Sequence, residues 1–440
     1  MEESPLTSAT ISFVLNCWIF CDSVITTLPS VFCFFKVLAV HPDYTIRQQI
    51  IETLRDRWLP LSPAGWHFVV AGLVRECQLE LAMEHVAAME TKGIPIETWL
   101  HSLLVYNLCD VEEFDEVLDL MRSRDKQNHE ITPDLWKYVL DAASLALHHN
   151  MTSYVWTHRV GLGYLQPSDR VCSNVLTVAA RVGDSGLATS VFHFLAGTGH
   201  SMTLYDYERM ADAHVVSGDI FSAFEILCGM HKGGVCVKES STRSILTYMI
   251  RHQVRARDAW AMLKRLQAMK YAIPVLCAKV VIELCEHHSL HDARAVDDGI
   301  ALYKELYTLC PEGADVSTYN TLINMCRHGK NHVAAMFVIK EMASLGVVPD
   351  STTFEYIILT CLDFGNYASA YMYFRDMLER GCAVGEEGRA GIRRMTAGST
   401  DVYAIKLTSH PHIAEHGMEF GPRPSEPVVT EVGDPVGEQQ

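Results

Sequence analysis

The sequence predicts an all-α protein, an α-solenoid of about eight helix-turn-helix repeats, and three observations support this. Apolar residues recur three or four positions apart through most of the chain, which is the spacing of a helix with one buried face. Glycine turns and proline stops divide these helices into pairs. The pairs recur about every 35 residues. Because one pair cannot bury its own apolar stripe, neighbouring pairs are expected to stack.

The clearest repeat is 316–350, VSTYNTLINMCRHGKNHVAAMFVIKEMASLGVVPD. A turn at Gly329-Lys330 separates its two helices, and Gly346 with Pro349-Asp350 closes the second helix. The residues expected to be buried lie three or four apart in each helix: Tyr319, Leu322, Ile323 and Cys326 in the first, and Ala335, Val338, Ile339 and Met342 in the second.

Other segments fit the same template, and they place the solenoid between residues 43 and 382. Residues 44–59 resemble a second helix whose first helix is missing. The fuller copies are 63–97, 96–133, 134–168, 169–203, 204–239, 240–274, 275–315 with an insertion, and 351–385.

The repeat length, the TYNTLI-like first helix and the GVVPD ending of 316–350 resemble the pentatricopeptide repeat family. This resemblance implies a right-handed superhelix that binds single-stranded RNA, with each repeat facing one base. It also implies that the first helices line the concave face. The sequence contains no feature that favours duplex DNA as a partner.

In this family the fifth and last residues of a repeat select the base, and in 316–350 these residues are Asn320 and Asp350. The resemblance implies that this pairing prefers uracil. Alternatively, Asn320 satisfies a helix start and Asp350 caps the next helix, and the two roles can coexist. Ser173 and Ser244 occupy the fifth position of two other repeats and are compatible with a purine, but their last residues do not form a usual pairing. The RNA sequence therefore cannot be decoded.

Four arginines recur near the ends of first helices: Arg75, Arg181, Arg251 and Arg327. Stacked repeats would place their guanidinium groups in a column that could meet successive phosphates. The alternative is that each cation complements the carboxyl end of its own helix. Arg243 and Lys279 are weaker candidates for the same face.

The charge balance favours a different partner. The chain has 36 Lys and Arg against 53 Asp and Glu, a formal net charge of −17, whereas a phosphate-binding surface needs local positive charge. A protein-binding α-solenoid, such as a scaffold or assembly factor with a peptide in its concave groove, is therefore the alternative function. RNA binding is favoured by the pairing of Asn320 with Asp350 and by the arginine column.

Residues 1–42 form an apolar leader that differs from the repeats. Asn16, Asp22, Pro29 and Lys36 interrupt it before it reaches the length of a membrane span, so a membrane partner is not expected. The alternatives are a membrane anchor, a buried cap on the solenoid, or a truncated or misassigned start. The family resemblance implies a mitochondrial location. No presequence is visible, and one could have been lost with such a truncation.

The sequence predicts neither an enzyme nor a cofactor. It contains no GxxxxGK[ST], nucleophile elbow or HExxH motif. No metal site is expected either, because the fourteen cysteines contain no CxxC pair and the histidine groups 148–149 and 287–291 lack completing ligands. Residues 383–440 are rich in Gly, Pro and acids, which predicts a mostly disordered tail. Within this tail, residues 399–413 could form a short strand or dock locally.

Overall fold

A computed structural model describes residues 28–41, 43–127, 129–230 and 233–414 of the chain, with side chains from residue 34 onward. This described part contains 22 α-helices, one short π-helix and no strand. The prediction of an all-α repeat protein is confirmed. The chain divides into two compact units, residues 1–219 and 220–440, and each is described by itself.

The first unit alternates first and second helices of successive repeats. Its first helices α1, α3, α5, α7, α9 and α11 pack against one another in sequence order, and we call them the first-helix layer of this unit. The helix bounds are α1 (Leu28–Val40), α2 (Tyr44–Asp56), α3 (Pro63–Arg75), α4 (Leu79–Thr91), α5 (Thr98–Asp110), α6 (Phe114–Lys126), α7 (Pro133–Leu145), α8 (His149–Val155, continued by the π-helix Trp156–Val160), α9 (Asp169–Val182), α10 (Ser185–Gly197) and α11 (Leu204–Ser217).

The second unit follows the same plan. Its first-helix layer consists of α13, α15, α17, α19 and α21, each packed on the next. The helix bounds are α12 (Ile220–Met230), α13 (Glu239–Arg251), α14 (Ala256–Ala268), α15 (Val275–Ser289), α16 (Arg294–Leu309), α17 (Val316–His328), α18 (His332–Ser344), α19 (Ser351–Asp363), α20 (Tyr367–Glu379), α21 (Glu386–Thr396) and α22 (Val402–Thr408).

The predicted apolar period places the core correctly. In α17 the residues Tyr319, Leu322, Ile323 and Cys326 are all fully buried. In α18 the residues Ala335, Val338 and Met342 are buried, whereas Ile339 is only half-buried. The helix pair therefore buries the stripe that its sequence predicts, and the apolar contacts between neighbouring repeats supply the main driving force for stacking.

Glycines are required at two turns for different reasons. Gly183 ends α9 with a φ of +85°, and a Cβ there would lie 2.8 Å from Val216 Cγ1. Gly329 has an ordinary φ, but a Cβ on it would collide with Val296, and Lys330 takes the left-handed conformation instead. The predicted turn at 329–330 thus depends on close packing against α16.

The start of the array differs from the prediction. Residues 1–27 of the predicted leader lie outside the described residues, but residues 28–40 form α1, which packs on α3 and buries Phe35, Leu38 and Ala39. The interpretation of 44–59 as a helix without a preceding first helix is therefore wrong. The sequence did not indicate that α1 is a first helix, because it is apolar apart from Ser30 and Lys36 and lacks the first-helix pattern. Over the described ranges, none of the helices combines the length and apolarity that a bilayer span needs.

The end of the array also differs. Disorder was predicted after Cys382, yet α21 packs on α19 and α22 packs on α20, so the prediction is wrong for residues 386–408. Residues 399–413 form a helix and a turn, and not a strand. The glycines that suggested disorder instead allow close packing: a Cβ on Gly388 would lie 2.7 Å from Glu355 Oε2, and one on Gly391 would lie 3.0 Å from Leu359 Cδ2. Residues 415–440 lie outside the described part.

Candidate nucleic-acid interface

Asn320 and Asp350 meet at the edge of the first-helix layer of the second unit. Asn320 lies in α17 and is 9% exposed, and Asp350 is the N-cap residue of α19. The Asn320 Nδ2 atom lies 3.2 Å from Asp350 Oδ1 and 3.4 Å from Oδ2. Asn320 Oδ1 accepts a hydrogen bond of 2.6 Å from the Thr353 hydroxyl. The structure thus brings together the two side chains that the sequence singled out.

Asp350 also has the capping role that was the alternative interpretation. It accepts hydrogen bonds from the Thr353 N–H at 2.7 Å and from the Thr353 hydroxyl at 2.8 Å. Burial raises the pKa of Asp350, but the hydrogen bonds from Thr353 and Asn320 outweigh this, so the pKa lies below its ordinary value. The carboxylate stays ionised at neutral pH as a fixed acceptor.

The two serines at corresponding positions have different surroundings. Ser173 in α9 lies 3.5 Å from Asp206 Oδ1, a distance at the limit of a hydrogen bond. The Ser244 hydroxyl in α13 is buried, and no hydrogen-bond partner for it exists within the described ranges. Neither serine contacts the last residue of its own repeat as Asn320 contacts Asp350.

The four arginines fall into two groups. Arg75 donates to the Ala39 carbonyl, and the Arg327 Nε atom lies 2.9 Å from Asp363 Oδ2. Arg181 and Arg251 are exposed, and the described residues offer neither one an ion-pair partner. The two exposed guanidinium groups, in the last turns of α9 and α13, are therefore available to an anion without displacing a partner.

Lys279, which the sequence indicated as a weaker candidate for contacting phosphates, does not provide an available cation. Its ammonium group is 6% exposed and lies 2.6 Å from Glu239 Oε1 and 3.3 Å from Glu283 Oε1. Burial lowers the pKa of Lys279, but the two carboxylates outweigh this and raise the pKa, so the charge is held inside an internal ion-pair group.

Glu283 and Glu286 are cavity-lining residues that the sequence interpretation missed. Their spacing from Lys279, four and seven positions along α15, is a signal that could have placed all three on one helix face. Burial raises the pKa of Glu286 most and nearby Glu283 raises it as well, while the hydrogen bond from Asn324 and the Lys279 charge oppose the rise, so the pKa is about 7. This carboxyl changes protonation near physiological pH.

Replacing Glu286 with Gln is expected to make the protein more stable at pH 8 and to change little at pH 4.5. The folded state holds a proton that the unfolded chain releases above about pH 4.5, so wild-type stability falls as pH rises through about 7. At pH 8 the wild-type protein must bury an ionised carboxylate, and the Gln variant avoids this cost. The free energy of unfolding of the variant should therefore be higher by roughly 1 to 2 kcal/mol, allowing for solvent screening.

Urea unfolding of wild type and the Glu286→Gln variant at pH 4.5 and pH 8 checks this expectation. Glu387→Gln, at an exposed position in α21, makes the same chemical change outside the cavity and serves as the control. An equal stability difference between the Glu286 variant and wild type at both pH values would contradict the expectation.

In the part of the chain that the structure describes, no group of three or more His, Cys, Asp or Glu side chains could hold a metal ion. Of the histidines that could be taken for ligands, His148 and His149 have other partners. The His148 Nδ1 atom accepts from the Met151 N–H at the start of α8, and the His149 Nε2 atom lies 2.8 Å from Asp184.

This chain is an α-helical repeat protein, because its helix pairs stack in sequence order and its first-helix layer has a polar edge. Two family models match this chain: one described as pentatricopeptide repeat-containing protein over residues 169–306, and one described as pentatricopeptide repeat domain over residues 313–363. Residues 169–306 and 313–363 therefore carry pentatricopeptide repeats. No curated protein matches the sequence.

Solved structures with a similar chain path include two of the pentatricopeptide repeat protein PPR10 and one of Rmd9p. PPR10 from maize is 12% identical, with a TM-score of 0.32 over 88% of this chain and 68% of that one. PPR10 in complex with an 18-nucleotide RNA element is 13% identical, with a TM-score of 0.34 over 92% and 58%. Yeast Rmd9p in complex with a 16-nucleotide target RNA is 10% identical, with a TM-score of 0.43 over 88% and 83%. This chain therefore spans less than two thirds of the RNA-bound PPR10 chain.

Proposed function

We propose that this protein binds single-stranded RNA along its first helices. The observation that carries the proposal is the contact between Asn320 and Asp350, the fifth and last residues of one repeat. A short amide beside an ionised carboxylate offers both a hydrogen-bond donor and acceptors to the edge of one unpaired base. The match to a pentatricopeptide repeat domain over residues 313–363, which include both side chains, supports this role for the pair.

Phosphate binding falls to the exposed arginines in this proposal. Arg181 and Arg251 neutralise phosphates directly, whereas Arg75 and Arg327 contribute only after releasing the Ala39 carbonyl and the Asp363 carboxylate. Ser173 and Ser244 contact bases in their own repeats, Ser244 only after its buried hydroxyl becomes exposed. The affinity then depends on the placement of a few cations, which accommodates the net charge of −17.

The biological role that we propose follows from the family. The protein acts in a mitochondrion, in the processing, stability or translation of transcripts. It does so by occupying a single-stranded segment and masking it from other factors. This mechanism involves no covalent chemistry and no cofactor.

A protein-binding scaffold or assembly factor is the second candidate, and one observation favours it. In the first-helix layer of the second unit, the cations Lys279 and Arg327 are engaged by carboxylates of the same layer. Such a surface is better suited to a basic partner segment than to a chain of phosphates.

Crosslinking and sequencing of RNA bound in cells, followed by binding measurements on the recovered segment, tests the proposal. Asn320→Ala is expected to weaken binding about ten-fold and to relax the base preference at one position. Arg181→Gln and Arg251→Gln should weaken binding regardless of sequence, and each should lower the slope of log affinity against log salt by about 0.7.

Arg327→Gln provides the matched comparison, because its guanidinium already pairs with Asp363 and should change the salt slope less. Recovery of no RNA above background would reject the RNA-binding proposal. Capture of one protein under the same conditions, with no RNA, would favour the scaffold.

A further inference from the structure

A cavity of about 640 Å³ opens between α13, α15 and α17 of the second unit. Its volume falls in the range of about 300 to 1,000 Å³ that is usual for small-ligand sites. The walls are apolar at Leu246, Ile250 and Leu276, and they carry the carboxylates Glu283 and Glu286. The cavity therefore combines an apolar enclosure with a few convergent polar groups.

Each of these two carboxylates uses one oxygen within the protein. Glu283 Oε1 lies 3.3 Å from the Lys279 ammonium, and Glu286 Oε1 accepts from Asn324 Nδ2 at 2.5 Å. The described residues provide no hydrogen-bond donor to the second oxygen of either group. Both second oxygens are available to accept from a ligand that carries N–H groups.

Two histidine atoms at the same cavity are also unsatisfied. The Nδ1 atoms of His287 and His328 are buried, and neither has a hydrogen-bond partner in the described part of the chain. Both residues line the cavity. Because these two Nδ1 atoms are closed to water, an occupant of the open cavity does not reach them, and the carboxylate oxygens are the acceptors that face it.

The charges around the cavity favour a nucleotide over a cationic side chain. Arg243, which lies at the exposed edge with no ion-pair partner among the described residues, would repel a lysine or arginine of a peptide, whereas the Lys279 charge is already balanced by Glu239 and Glu283. A nucleotide carries a phosphate that suits Arg243 and a base that can donate to the carboxylates. One ligand class thus matches both signs of charge.

We propose that this cavity receives one base of the bound RNA and prefers cytosine, adenine or guanine to uracil, because Glu283 and Glu286 accept hydrogen bonds from an exocyclic amino group. Uracil has no exocyclic amino group, and its one N–H donor lies between two carbonyl oxygens that these carboxylates would repel. The inference rests on the proposed RNA binding. It assigns base selection to residues nine and twelve of the repeat 275–315, in addition to the fifth and last residues.

The test uses the full chain and a set of labelled 15-nucleotide oligouridines, each with one cytosine at a different position, in fluorescence anisotropy titrations. Wild type should bind at least one of these RNAs about ten-fold more tightly than the all-uridine RNA. The Glu283→Gln, Glu286→Gln double variant should lose this preference and retain its affinity for the all-uridine RNA. Glu387→Gln in α21, which changes the charge outside the cavity, should retain the preference.

The outcomes separate this inference from the proposed function. If no RNA binds, both fail together. If RNA binds with no cytosine preference at any position, or if the double variant keeps the preference, only the cavity inference is overturned. Competition by an arginine-rich peptide that depends on Glu283 and Glu286 would also overturn it. The wild-type scan remains decisive even if the double variant does not fold.

Discussion

Replacing Arg47 with Met is expected to lower the free energy of unfolding of the first unit by about 3 to 5 kcal/mol. Arg47 in α2 donates from Nη1 to Glu76 Oε1 at 3.0 Å, and its Nη2 bonds the other oxygen of the same carboxylate. Their side chains are 3% and 14% exposed. The cost is large because the variant would leave the Glu76 carboxylate buried without its counter-ion.

Close packing holds this ion pair between three helices. A Cβ on Gly72 of α3 would lie 2.7 Å from Arg47 Nη1 and 3.3 Å from the Leu38 carbonyl oxygen of α1. The absence of a side chain at Gly72 therefore lets the guanidinium group lie against α3 at the point where α1 also crosses it. Loss of Arg47 should loosen the contact of both α1 and α2 with α3.

Urea unfolding, with midpoint and slope fitted together, measures this effect. Arg170→Met is the matched control, because Arg170 also makes a two-oxygen contact, with Asp141, but is 68% exposed and should lose less than about 1 kcal/mol. The double variant Arg47→Met, Glu76→Leu should recover most of the loss by removing the stranded charge. Equal losses for the Arg47 and Arg170 variants would contradict the expectation.

This ion pair shows what the sequence could and could not predict. The buried faces of α17 and α18 follow from local periodicity, which each helix carries in its own residues. The Arg47 and Glu76 pair joins residues 29 positions apart, and no local pattern shows that both lie in the interior. The helix α1 was missed for the same reason, since only its contact with α3 distinguishes it from an apolar leader.

The candidate interface was also only partly predictable, because some of its features depend on contacts between repeats. Asn320 and Asp350 were found because the repeat gives them fixed positions, and their contact follows once the repeats stack. The arginine column was predicted from position alone, but the partner of Arg327 is Asp363 in the following repeat, 36 residues later. Whether a cation is available to RNA depends on such contacts between repeats, which a repeat template does not specify.

Lowering the pH from 7 to 5 is expected to destabilise the first unit by about 2 kcal/mol through His101 alone. His101 lies in α5 and is 2% exposed. Burial lowers its pKa most, the Arg124 guanidinium lowers it as well, and a hydrogen bond with the Leu120 backbone opposes both only in part, so the pKa is about 4. Arg124 is itself buried and donates to the Ile96 carbonyl and the Thr98 hydroxyl, and among the described residues no carboxylate pairs with it.

The direction of this effect follows from the two protonation states. In the unfolded chain His101 binds a proton below its ordinary pKa of about 6.5, whereas the folded protein excludes that proton until about pH 4. Proton binding therefore lowers the free energy of the unfolded state relative to the folded state as the pH falls through this window. The stability associated with neutral His101 is complete above about pH 6.5 and is lost progressively towards pH 4.

Comparison of wild type with His101→Gln at pH 7 and pH 5 isolates this contribution, because glutamine is neutral at both values. Relative to wild type, the variant should gain about 2 kcal/mol in free energy of unfolding between pH 7 and pH 5. Hydrogen exchange corrected for intrinsic rates adds an internal control. Protection of α5 and α6 in wild type should fall on acidification, whereas α15 around Glu286 should gain protection, because its buried carboxyl binds a proton in the folded state. Parallel pH profiles for wild type and His101→Gln would show that His101 is not the group responsible.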